Sequence, residues 1–154
     1  MPLPGAMEMV YLEMPASSPL RYELEALLLG AGGEVVETKS AASSLLLVES
    51  AKIRSRTLSL DTLGRASEYG LTLSVKYRLQ TGGGTMMGEP LSSRVERDFR
   101  FDPDSVLAHG AEREQVEREM YRIAARQMLR RLRTMAESTT ASEPPPVTEA
   151  APAQ

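Results

Sequence analysis

Between positions 69 and 80 every second residue is large and apolar: Tyr69, Leu71, Leu73, Val75, Tyr77 and Leu79. Gly70, Thr72, Ser74, Lys76, Arg78 and Gln80 stand between them. Successive side chains of a strand point to opposite faces, so this period of two makes a strand with one buried face and one wet face. A sheet built on such a strand is covered on one side and open to water on the other.

The segments around it supply the rest of that sheet and its cover. Met9-Val10-Tyr11-Leu12 is a short apolar run ended by Pro15, and it reads as a buried strand. Ser18 is placed as an N-cap, with Pro19 at the first helical position. Leu20, Leu24, Leu27 and Leu28 then lay one apolar stripe along a helix, which Gly30, Gly32 and Gly33 stop. Glu34-Val35-Val36-Glu37 reads as a second short strand or a β-like link. Positions 45–60 form a longer extended segment, with Leu45, Leu47, Ala51 and Ile53 expected on one face and Ser50, Lys52, Arg54 and Arg56 on the other. Asp61-Thr62-Leu63-Gly64 is a turn.

Gly82-Gly83-Gly84 is expected to be a long flexible loop. Positions 91–101 return as a strand, pairing with 69–79 in a hairpin. Leu91, Val95, Phe99 and Phe101 take one side of it, and Arg94, Glu96, Asp98 and Arg100 the other. Asp102-Pro103-Asp104 breaks it. A helix is expected over 111–133, with Val116, Met120, Ile123, Ala124, Met128 and Leu132 as its apolar stripe. Arg118, Arg122, Arg126 and Arg130 step by four along another face, and acids gather near its start, as the helix dipole prefers.

The order β-α-β-β-β-β-α defines an α+β two-layer sandwich. Two helices pack on one face of a mixed, mostly antiparallel sheet. Neither end is expected to supply core. Residues 1–8, with Pro2, Pro4 and Gly5, read as an irregular segment, 9–135 as a single domain, and 136–154 as a disordered tail rich in Pro, Ser and Thr.

Catalytic constellations are absent from this pattern. The 154 residues contain no Cys and one His, which excludes thiol chemistry, disulfides and thiolate metal sites and leaves no His-based zinc site or Ser-His-Asp triad. The triple glycine has no Lys-Ser/Thr after it and does not open a helix, so it is not a phosphate loop. Glu8, Glu13, Asp102 and Asp104 lie near chain breaks, where nothing desolvates them. The expectation is a protein that is not an enzyme and carries no cofactor or metal. No apolar run reaches the ~20 residues that cross a bilayer as a helix.

One surface feature stands out. Lys52, Arg54, Arg56, Lys76, Arg78, Arg94 and Arg100 all fall on the face opposite the apolar stripes, diluted by Glu96 and Asp98. On a chain of net charge −3 this makes a local positive patch suited to phosphate groups. Two readings fit the same pattern: an anion-binding face, or a solvated strand face whose charges deter edge-to-edge aggregation. An RNA-binding module is a further alternative, but Tyr69, Tyr77, Phe99 and Phe101 share the apolar face and would be buried, leaving few rings on which bases could stack.

Gly64-Arg65-Ala66-Ser67-Glu68-Tyr69-Gly70-Leu71-Thr72-Leu73-Ser74-Val75 resembles the central strand signature of the LptE family of lipopolysaccharide-assembly lipoproteins. Later segments agree in order and spacing: Arg97-Asp98-Phe99-Arg100-Phe101-Asp102, then Val106-Leu107-Ala108, Glu119-Met120-Tyr121, Ala124-Ala125 and Gln127-Met128-Leu129-Arg130-Arg131-Leu132. Tyr11-Leu12-Glu13 followed by Ser18-Pro19-Leu20 is similar to the family's opening strand and helix. The resemblance spans residues 9–133.

It implies a plug and assembly subunit in the lumen of an LptD-type outer-membrane β-barrel, at the periplasmic face of the outer membrane. It also implies that the protein binds lipopolysaccharide on its way to the outer leaflet, and that nucleic acid is not a partner. Lipid A and the inner core carry phosphates, which match the Lys and Arg face.

The chain departs from the family in two respects. Family members begin with a lipidated Cys that anchors them to the membrane. Here Met1 stands just upstream of the first strand and no such Cys is present, so a shortened soluble form or an incomplete reading frame is expected. His109 stands where some relatives place a Lys implicated in lipopolysaccharide contact, and Thr62 where some carry an Arg. The expected lipopolysaccharide contacts are therefore Lys52, Arg54, Arg56, Lys76, Arg78, Arg94, Arg100 and His109.

Overall fold

The computed structural model describes residues 3–100 and 106–141, the side chains of 106–109 and 139–141 excepted. The elements run β1 (Met9–Glu13), α1 (Pro19–Gly30), β2 (Glu34–Val36), β3 (Ser44–Leu60), β4 (Ala66–Thr81), β5 (Met86–Arg100) and α2 (Val106–Ala141), with short 3-10 turns at Gly5–Met7 and Lys39–Ala41. This is the expected order. Phe101, the Asp102-Pro103-Asp104 break and residues 142–154 lie outside the described residues.

The strands form one sheet in the order β2-β1-β3-β4-β5. β1 pairs in parallel with β2 and β3, while β3–β4 and β4–β5 are long antiparallel ladders. Both helices lie on one face. Leu71, Leu73, Val75, Tyr77 and Leu79 of β4 are buried beneath Leu20, Leu24 and Leu28 of α1 and Met120, Ala124, Met128 and Leu132 of α2. Each such leucine, fully buried, contributes roughly 1.5–3 kcal/mol. The apolar stripes read from the periodicity of α1, β4 and α2 are thus the core.

Two of the boundaries differ from expectation. β5 begins at Met86, five residues before Leu91, and the triple glycine is a tight turn in which Thr81 N donates to Thr85 O at 2.8 Å. Pro90 and Gly88 are residue types that ordinarily interrupt a strand. β5 is an edge strand, where a proline's missing N–H is tolerated, and Gly88 takes a left-handed φ of +72° at a bulge between the Tyr77 and Leu79 pairings. α2 starts before the expected 111 and continues to Ala141, taking in residues 136–141 that composition had assigned to the tail. Ala136 is buried in the core, and no Gly or Pro interrupts positions 111–143.

The N-terminal segment is irregular apart from its 3-10 turn, but it does supply core. Met7 N donates to Pro4 O at 2.7 Å, and the turn puts Met7 (1% exposed) and Leu3 (8%) into the cluster beside α1. At the start of α1, Ser18 occupies the N-cap position but its hydroxyl caps nothing. Arg21 does the fastening instead, donating to the carbonyls of Leu12 and Met14 at 3.1 Å each and pairing with Glu25 at 2.9 Å.

The largest departure lies in β3. Leu46 faces Leu79 and Val48 faces Tyr77, whereas Leu45 and Leu47 pair with Gln80 and Arg78 on the opposite side. A bulge between Val48 and Ser50 then shifts the alternation, so that Ala51 and Ile53 return to the core face. Leu45 and Leu47 therefore do not share a face with Ala51 and Ile53 as expected. Leu45-Leu46-Leu47-Val48 is apolar throughout, so its pattern carries no parity. Leu45 and Val36 are buried on this second face. Residues 37–43, which must pass across β1 to join β2 to β3, bring Lys39 to 5.9 Å from the centre of the Tyr11 ring.

Candidate anion-binding face

The β-ladders define the open face row by row. Ser50, Lys76 and Ser92 lie side by side, followed along the sheet by Lys52, Ser74 and Arg94, then Arg54, Thr72 and Glu96, then Arg56, Gly70 and Asp98. Residues paired across neighbouring strands share a face, so these side chains project together, away from both helices. Arg78 belongs to the same face one row beyond Lys76, and Arg100 one row beyond Asp98, opposite Glu68. All seven expected cations stand on this face. His109 lies in the first turns of α2, and its side chain is outside the described residues.

The structure gathers five of the seven. Lys52, Arg54, Arg56, Lys76 and Arg94 line one trough of about 670 Å³, floored by Ser50, Gly70, Thr72 and Ser74 and bordered by Glu96 and Asp98. β4 contributes small residues to its middle and β3 and β5 contribute long ones to its flanks. The flanks are two strand spacings apart, about 10 Å. Arg78 and Arg100 continue the stripe past the trough's ends rather than lining it.

Ion pairing sorts these cations further. Arg94 is held by Glu96 at 2.6 Å. Arg78 is held by Glu49 at 3.0 Å. Among the described residues no carboxylate lies within 4.0 Å of Lys52, Arg54, Arg56 or Lys76, all of them exposed. Like charges on alternate residues of one strand sit ~7 Å apart and repel by roughly 0.6 kcal/mol even in water. Four unpaired cations on adjoining rows thus leave a positive potential for a ligand to relieve.

Sequence reasoning missed three contributors. Glu49 occupies the β3 bulge and reaches Arg78, and Glu68 adds an acid opposite Arg100. Leu58 is the third: it too lines the trough. Leu58 had a signal, the even-numbered alternation it shares with Lys52, Arg54 and Arg56, whereas the first bulge had none, because the leucine run before it is apolar on both faces.

Beyond the Leu58 end of the trough, β3 and β4 run on into the turn that joins them. The Asp61 carboxylate accepts the backbone N–H groups of Leu63 (2.9 Å) and Arg65 (2.8 Å) and pairs with the Arg65 guanidinium at 2.9 Å. The Arg65 backbone N–H leads in holding its pKa below the ordinary 3.8, against a smaller desolvation effect. Among the described residues no three potential metal ligands converge, and no helix is long and apolar enough to cross a membrane. No aromatic ring lines the trough. Tyr77 and Phe99 are buried on the other face, so the stacking platform that an RNA-binding sheet requires is missing here.

Fold and face together define a class: a two-layer α+β sandwich with a cationic open sheet face whose trough is lined by no aromatic ring. The sequence assigns the family. Residues 7–132 match the profile of LptE, the lipopolysaccharide-assembly family, and the chain belongs to it. It is 35% identical over 122 residues to the LPS-assembly lipoprotein LptE of Photorhabdus laumondii, covering 78% of this chain and 66% of that one, just under two thirds of the relative's length. Its fold matches the solution structure of lipoprotein B from Nitrosomonas europaea, with a TM-score of 0.74, 25% identity and 89% of each chain covered. The crystal structure of rare lipoprotein B from Shewanella oneidensis shares the fold at a TM-score of 0.70 and 24% identity, over 88% of this chain and 99% of that one.

Proposed function

We propose that this chain acts in lipopolysaccharide assembly at the periplasmic face of the outer membrane. In this reading it binds lipopolysaccharide by its phosphates and works seated in an LptD-type β-barrel. Four exposed cations without carboxylate partners among the described residues, collected in one trough on the helix-free side of the sheet, carry the reading. Membership of the LptE family and the name of the Photorhabdus relative support it.

The chemistry is exchange of ionic partners. Aggregated lipopolysaccharide holds its phosphates against counterions, and the trough offers Arg and Lys donors in their place. Arg54 and Arg56 can each grip a phosphate with two N–H groups, while Lys52 and Lys76 act as point charges. An exposed ion pair is worth about 0.2–1 kcal/mol, so four together contribute roughly 1–4 kcal/mol, or about five-fold to several hundred-fold in affinity. The sheet's rigidity keeps the cations spread along one line, which suits handing a headgroup on along the face.

Calorimetric titration tests this with intact and enzymatically dephosphorylated lipopolysaccharide. The intact glycolipid binds saturably and more weakly as salt rises, and the dephosphorylated one binds at least about fivefold more weakly. Equal affinity for both would refute phosphate recognition. Capture of the tagged chain from outer membranes tests the second half: an LptD-type barrel is recovered with it, and its absence counts against the plug role.

A further inference from the structure

Leu58 is the unpaired residue of a second bulge in β3, between Thr57 and Ser59, and it keeps the even-numbered alternation of Lys52, Arg54 and Arg56. The side chain is laid on the open face. It sits over Gly70, where a Cβ atom would meet both Leu58 Cδ atoms at 3.4 Å, and it lines the same trough as Arg54 and Arg56. It remains 39% exposed, and beyond it Leu60 (61%) and Leu63 (75%) lie bare at the hairpin end. Three of the exposed large apolar side chains among the described residues thus belong to this one hairpin. One exposed leucine on a strand face is ordinary, but three on one hairpin, the first of them lining a cationic trough, are more than single scatter.

The trough is therefore polarised. Lys76, Lys52, Arg94 and the serines Ser50 and Ser74 occupy one end, Arg54 and Arg56 the middle, and Leu58 the other end, where Arg100 stands opposite Glu68 on the flank and the chain leads on to Leu60 and Leu63. The Lys76 and Gly70 rows are six residues apart on β4, about 20 Å. A purely ionic ligand would have no use for the apolar end, and a purely apolar one none for the cations.

We propose that the trough binds an anionic amphiphile in one direction, with phosphates over Lys76, Lys52 and Arg54 and acyl chains over Leu58 toward the hairpin tip. This rests on the phosphate-binding reading above and adds to it the ligand's polarity and the role of Leu58. Gly70 is the seat that lets Leu58 lie flat on the face. The lipid end of the bound molecule leaves the sheet at the β3–β4 turn, and the sugar end points toward the opposite end of the sheet.

Because the chain contains no Cys, single cysteines can carry a polarity-sensitive dye without background. Leu63→Cys reports the tip, and Ser92→Cys, beside Lys76, reports the other end. The probes are lipid A and its fully deacylated, still phosphorylated disaccharide. Lipid A shifts the dye at position 63 to the blue and leaves that at 92 unchanged, and the disaccharide binds without shifting either. Leu58→Ser, at a part-exposed site that leaves the fold intact by circular dichroism, weakens lipid A about tenfold and the disaccharide less than about twofold.

A blue shift at 92 instead of 63, or equal binding of lipid A by wild type and Leu58→Ser, overturns the orientation while the phosphate reading stands. Binding of neither probe overturns both. A dye at position 63 that responds only to added barrel overturns it in favour of a protein contact at the tip.

Discussion

Gly88 offers a test of the least expected element, the N-terminal half of β5. Its φ of +72° is a conformation that L side chains avoid, and holding alanine there costs about 1–2 kcal/mol. A Cβ atom at Gly88 would also meet Met135 of α2, with Sδ at 3.0 Å and Cγ and Cε at 3.2 Å. Methionine yields, but displacing it from a packed site costs ~1–2 kcal/mol more. Gly88→Ala should therefore destabilise by about 2–4 kcal/mol, a large share of the ~5–15 kcal/mol of an ordinary domain. With a urea slope of ~2 kcal/mol/M, the unfolding midpoint falls by about 1–2 M.

A double-mutant cycle separates the two causes. In a Met135→Ala background the steric part is gone, and Gly88→Ala should cost only the backbone part, about 1–2 kcal/mol. A loss below about 0.5 kcal/mol in the wild-type background, or the same loss in both, would refute the reasoning. The position bears on the candidate site as well, because this bulge sets the register in which Ser92, Arg94 and Glu96 reach the open face.

Two further consequences follow from the ion pairs around the trough. Asp61 has a lowered folded pKa, so its contribution to the hairpin tip is fully present above the unfolded value and is lost as pH falls through the folded one. The amide resonances of Leu63 and Arg65 should accordingly shift below the ordinary carboxylate range, and resonances unchanged between pH 5 and pH 2 would contradict this. Glu49→Gln frees Arg78 from its 3.0 Å partner and adds a cation at the end of the stripe. Affinity for lipopolysaccharide should rise about 1.5- to 5-fold by titration, and a fall would show that Glu49 itself orders the face.

The fold was legible wherever a segment has one apolar side. β4 alternates strictly between buried and exposed residues, and α1 and α2 carry stripes at helical spacing, so their placement followed from periodicity alone. Legibility failed where the pattern has no parity or where an exception is local. The leucine run at the start of β3 is apolar on both faces because the 37–43 link covers the second one, and that hid the Val48–Ser50 bulge. Pro90 and Gly88 look like loop until β5 is known to be an edge strand. Leu3 and Met7 are isolated apolar residues in a proline-rich segment, and only the 3-10 turn brings them to the core.

The candidate site was legible to a similar degree. Seven cations shared the predicted face because most of them sit on regular stretches of β3, β4 and β5. Leu58 continues the even-numbered alternation of Lys52, Arg54 and Arg56, so its place among them was legible too. Which cations are free depends on a bulge that no periodicity announces, since the pairing of Arg78 with Glu49 requires it to bring an odd-numbered acid beside an even-numbered base.

If one face, rather than overall charge, recognises lipopolysaccharide, two variants that lose the same charge from different surfaces bind it differently. One carries Lys52, Arg54, Arg56 and Lys76 replaced by Gln. The other carries Arg113, Arg118, Arg126 and Arg130, exposed on α2, replaced likewise. Both are titrated with lipopolysaccharide at fixed salt after their folding is verified. Recognition by the sheet face means that the sheet variant loses about fivefold or more in affinity while the helix variant stays within about twofold of wild type. Equal losses in the two, or a loss confined to the helix variant, would contradict it.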